Sequence, residues 1–167
     1  MRKALGVLLL FCAANASAAI DSRALFERIK SLEGEWRGKS TKGWEDTVRV
    51  RVIAGGSVVM FTSFDAHPGE TMVTMVSLDG NRLLLTHYCV AKNQPRLVAT
   101  SYDPNGGNAT FEYLDGTGLS SRDKGHMDKV VMTFADSDRY RSRWTWYQNG
   151  TERWMEDIEY NRIKAGT

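Results

Sequence analysis

Apolar and polar positions repeat at two different periods along this chain, and the switch between them divides it. In DSRALFERIKSL, Asp21 to Leu32, the apolar residues Leu25, Ile29 and Leu32 fall at i, i+4 and i+7. That spacing predicts one short amphipathic helix, with Asp21 or Ser22 placed to cap its first amides. Beyond it the period drops to two. In WEDTVRVRVI, Trp44 to Ile53, Val48, Val50 and Val52 share one face while Thr47, Arg49 and Arg51 share the other. Similar runs predict strands over 34–40, 44–53, 57–64, 70–78, 82–91, 96–102, 109–114, 126–134, 139–147 and 152–163. Turn signals separate them: Gly55-Gly56, His67-Pro68-Gly69, Asp79-Gly80-Asn81, Asn93-Gln94-Pro95, Asp103 to Asn108, Asp136-Ser137-Asp138 and Asn149-Gly150. Asp115 to Gly125 is polar and Gly-rich, and is expected to be the longest loop.

About ten strands at this spacing predict an all-β, antiparallel up-and-down barrel with one short N-terminal helix. No helical segments are available as crossovers, which excludes a parallel α/β fold. Closure also removes unpaired strand edges. A barrel of this size can enclose one small ligand.

The first residues add a destination. Arg2 and Lys3 precede an apolar stretch from Ala4 to Ala14 and a small-x-small triplet, Ala16-Ser17-Ala18. This is the pattern of a secretory signal peptide over residues 1–18, with cleavage after Ala18 or Ala19 and a single domain over 19–167. The expected product is exported, periplasmic or secreted, with no membrane span after cleavage. Phe11 before Cys12 rules out a lipidation signal. Of the 22 basic residues, Arg2 and Lys3 leave with the leader and the rest balance the 20 acidic ones. A neutral chain lacks the basic surface that nucleic-acid binding requires. The run RYRSR, Arg139 to Arg143, reads as a solvated strand face. Cys89 is left as a lone thiol, so no intramolecular disulfide is expected.

The segment Leu32-Glu33-Gly34-Glu35-Trp36-Arg37-Gly38, a helix end running into G-x-W-x-G, resembles the start of lipocalin-like calycin barrels. With MVTMVSLDGNRLLLTHYC, NQPR, GHMDKVVMTF and RWTWYQNGTERWMEDIEY, the chain is similar to a family of small exported bacterial proteins of that fold and of no established activity. The resemblance implies structural roles for Gly34 and Trp36, with Arg162, rather than Arg153, packed on the tryptophan. The same start also resembles haem-binding nitrobindin barrels, whose axial histidine lies near the chain end; here no histidine follows His126.

Candidate chemistry follows from strand phase. His87 and Cys89 share a face with Leu83 and Leu85. His126 is in phase with Val130 and Phe134, Trp144 and Trp146 with Tyr140 and Ser142, and Glu156 with Trp154, Ile158 and Tyr160. If these faces point inward, His87, Cys89, His126 and Glu156 are polar groups in an aromatic-walled cavity, with Phe111, Tyr113, Trp144 and Trp146 as walls. Arg96 at the mouth could hold an anionic group. The expected function is binding of a small, largely apolar molecule. Should the cavity hold a metal instead, His87, Cys89 and His126 would be its ligands, although no C-x-x-C or H-x-x-x-H spacing supports it. A Cys-His pair would make an enzyme of the same cavity, but His87 and Cys89 lie about 7 Å apart along a strand. A third alternative is a structural barrel filled by its own side chains.

Overall fold

The first helix starts where the sequence supplies a cap. In the computed structural model, which describes residues 20–67 and 70–164, the Asp21 carboxylate accepts the Ala24 amide at 2.8 Å and α1 runs Ser22–Lys30. Ten strands follow: β1 Gly34–Ser40, β2 Glu45–Ile53, β3 Val58–His67, β4 Glu70–Asp79, β5 Arg82–Tyr88, β6 Gln94–Asp103, β7 Asn108–Thr117, β8 His126–Phe134, β9 Arg139–Gln148 and β10 Thr151–Arg162. Each pairs antiparallel with its neighbours in sequence, and β1 pairs with β10 to close the barrel. The expected leader over residues 1–18 lies outside the described residues. No helix among those described is long and apolar enough to cross a membrane.

Up-and-down order puts the two sets of connections at opposite ends. Helix α1 caps the end that holds the β4–β5 and β8–β9 turns, where Ser22 Oγ donates to Asn81 O and Arg28 to Asp136 O. Its apolar stripe, Leu25, Ile29 and Leu32, is fully buried against Trp36 and the strand interiors. Burial of this stripe, worth about 1.5–3 kcal/mol for each large side chain, holds a helix too short to persist alone.

Arg162 locks this end. Its guanidinium lies 4.2 Å from the Trp36 ring and donates to the carbonyls of Ser31, Glu33 and Ser137. Gly34, at φ +138°, passes so close that an added Cβ would sit 2.7 Å from Arg162 Nη1. Below Trp36, Tyr140 packs edge-on to it and stacks on Tyr160 with ring centroids 4.4 Å apart. These tyrosines separate the apolar plug from the other half of the barrel.

Two strand ends and two bulges depart from the expected pattern. Strand β5 ends at Tyr88, not Ala91, because Cys89 N donates to Asn93 O and Lys92, at φ +61°, donates back to Cys89 O to make a turn. Strand β7 continues to Thr117, shortening the expected loop to residues 118–125. Bulges between Met127 and Lys129 and between Trp154 and Glu156 shift the alternation, as one extra residue in a strand must.

Candidate functional site

The half of the barrel away from α1 contains a cavity of about 90 Å³. Its walls are apolar and aromatic: Trp44 and Val48 from the β2 side, Phe61 from β3, Met72 from β4, Leu85 from β5, Met127, Val130 and Met132 from β8, and Trp144 and Ile158 from β9 and β10. Tyr140 and Tyr160 form the floor. Among these walls stand five polar side chains: Ser63, Thr74, His87, Ser142 and Glu156.

His87 is 5% exposed and inward-facing, in phase with the buried Leu83 and Leu85. Thr74, its cross-strand partner on β4, brings Oγ1 to 2.9 Å from Nδ1. The ring leans on Trp144 at 5.1 Å between centroids. Nε2 is buried and has no hydrogen-bond partner among the described residues. Burial away from water pushes the imidazole down from 6.5 to about 4, so it is neutral at pH 7. A neutral imidazole nitrogen without a partner is free to give or accept one hydrogen bond, according to tautomer.

Glu156 lies across the bulge from Trp154 and directly opposite Trp144 on β9. The bulge resolves its phase: Glu156, Ile158 and Tyr160 face inward, while Trp154 is 54% exposed. Ser40 Oγ donates to the carboxylate at 2.7 Å. Burial raises its pKa, against the Ser40 bond, the Lys42 charge and the Trp44 indole, which favour the anion. Ser142 Oγ, two residues from Trp144, is buried beside Tyr160 and makes no hydrogen bond of good geometry among the described residues. The adjacent Asp157 points outward, where Arg143 grips it with bonds of 2.7 and 2.8 Å and holds its carboxyl below the usual range.

The other expected site residues lie elsewhere. His126 is fully buried, but the β8 bulge gives the inward place to Met127. Its Nδ1 meets Lys124 O at 2.6 Å and its Nε2 meets Arg122, which also binds Asp128 and lies between the rings of Tyr113 and Tyr147. Tyr113 and His126 are thus parts of a bracket that fastens the 118–125 loop. Trp146 packs on Gly125 of that loop, where a Cβ would approach its ring to 2.4 Å. Phe111 is fully buried core. Cys89, carried past the strand end into the turn, is half-buried, and burial raises its thiol pKa. Arg96 is exposed and paired with Asp115 on the outside. The structure therefore brings together His87, Trp144 and Glu156, and separates them from Cys89, Tyr113, His126, Trp146 and Arg96.

Among the described residues no three His, Cys, Asp or Glu side chains converge as metal ligands, and His87, Cys89 and His126, the set a metal would have used, lie apart. A haem does not fit either, since the cavity is far smaller than the macrocycle and Arg122 occupies His126 Nε2. Ser142 lies on the inward face expected from strand phase, whereas Thr74, Trp44, Met72 and Met127 were not among the expected site residues. Trp44 shares the inward phase of Val48 and was legible; Thr74 required knowing the β4–β5 register.

The sequence matches no protein-family model and no curated protein. Among solved structures, Rv2717c from M. tuberculosis superposes with a TM-score of 0.56 at 14% identity, over 83% of this chain and 97% of that one. A protein of unknown function from the DUF3598 family of Nostoc punctiforme superposes at 0.52 and 15%, over 81% of this chain and 49% of that longer one. At such identity the likeness speaks for the ten-stranded barrel alone.

Proposed function

We propose that this protein is an exported, lipocalin-like carrier that binds one small, largely apolar molecule inside its barrel. The observation that carries this reading is His87 Nε2, a buried polar atom that no group among the described residues satisfies, at the wall of an apolar cavity. An unmet buried hydrogen bond costs about 1–3 kcal/mol, and a bound molecule would remove that cost. Ser142 and Glu156 supply further polar contacts, and Trp44 and Trp144 supply flat apolar walls. Export rests on the leader pattern of residues 1–18. Catalysis through a Cys-His pair has no such support, because Cys89 stands outside the cavity and its thiol is raised by burial.

Native mass spectrometry of untagged protein, purified without denaturants, tests the reading. A retained small molecule that is lost when Leu85→Trp fills the cavity is the expected result. A bare polypeptide mass, with tryptophan fluorescence unmoved by small aromatic probes, would overturn it.

A further inference from the structure

The cavity carries a sign of charge as well as a shape. Among the described residues its walls contain no Lys or Arg, and Glu156 is the one group on them able to hold a charge at neutral pH. That carboxylate is 8% exposed and has no ion-pair partner among the described residues. Lys42, the cation that acts on it, is exposed, with Nζ 3.7 Å from Met155 Sδ. Asp46, buried on β2, adds negative potential felt by Tyr140, Tyr160 and Glu156. His87 contributes no positive charge to offset this.

Resting on the carrier reading, we infer that the ligand is a small organic cation: a primary ammonium on an apolar body, with Glu156 as its counter-ion. Buried charges are tolerated when paired, so an ammonium would complete a carboxylate that the protein leaves without an ion pair. An anion would meet Glu156 with nothing to balance it. An ammonium also has three donors, and the same cavity offers acceptors in the carboxylate, His87 Nε2 and Ser142 Oγ. The indoles of Trp44 and Trp144 suit a cation as well, since aromatic faces attract positive charge. At about 10–15 Å³ for each water-sized group, the cavity has room for roughly six to nine non-hydrogen atoms.

Three probes of one size separate the possibilities: benzylamine, benzyl alcohol and benzoate, titrated at pH 7.5 by calorimetry and tryptophan fluorescence. The expected result is benzylamine binding at least tenfold more tightly than benzyl alcohol, with benzoate weaker than either. In Glu156→Gln, folded by its thermal melt, the two neutral or cationic probes should bind within threefold of each other. Benzyl alcohol binding as well as or better than benzylamine to the unmodified protein would overturn the cation inference and leave the carrier reading standing. Equal or tighter benzoate binding would also overturn it, and binding by none of the three would overturn both. The unmodified protein decides the matter even if Glu156→Gln does not fold.

Discussion

His87 rests its ring on Trp144, and Trp144 stands directly opposite Glu156 on the neighbouring strand. One indole thus bridges two of the five polar groups of the cavity, so its fluorescence should report an occupant touching either. Trp144→Phe is expected to diminish the fluorescence change on adding benzylamine, leaving the part that Trp44 reports, while calorimetry still detects heat. A change of undiminished size would place the probe elsewhere.

His87 should make stability depend on pH. Its folded pKa of about 4 lies below its ordinary 6.5, so between these values the unfolded chain binds more protons. Its contribution is therefore fully present above pH 6.5 and is lost as pH falls toward 4, a change of about 3 kcal/mol. Glu156, with a raised pKa, has the opposite slope, so the comparison must isolate His87. Denaturant melts of the protein and of His87→Gln should diverge over this window, the variant losing less stability on acidification. Parallel profiles would contradict the placement of His87.

At the helix end, Arg162→Lys should cost about 2 kcal/mol, measured by denaturant midpoint. Lysine keeps the charge but cannot lie flat on Trp36 while reaching three carbonyls. A change below a few tenths of a kcal/mol would mean that the bracket is ornamental.

Arg122 fastens the mouth loop and not the barrel. Arg122→Ala should raise amide hydrogen exchange over residues 118–125 while β1 to β6 keep their protection. Faster exchange throughout the barrel would show instead that the bracket supports the whole fold.

Much of this molecule was readable before folding. The alternation in Glu45–Ile53 and Arg139–Arg143, with turn residues between, specified strands and their number because a half-buried sheet demands period two. Asp21 announced the helix cap, and the G-x-W resemblance pointed to Trp36 and Arg162. The site was less legible, because one extra residue in a strand reverses every side chain beyond it. The bulge before Lys129 exchanged His126 for Met127 inside, and the one before Glu156 sent Trp154 outward. The turn after Tyr88 removed Cys89 in the same way. Bulges leave little trace in residue pattern, since their cause lies in cross-strand fit.

The central claim is that His87 Nε2 awaits a ligand. Nitrogen-15 NMR of the histidine side chains, recorded while benzylamine is added at pH 7.5, tests it at that atom. The account predicts a saturable shift of the His87 Nε2 resonance, with the His126 nitrogens, already engaged by Arg122 and Lys124, unchanged. A His87 resonance that stays fixed at saturating probe, or moves only together with His126, would contradict it.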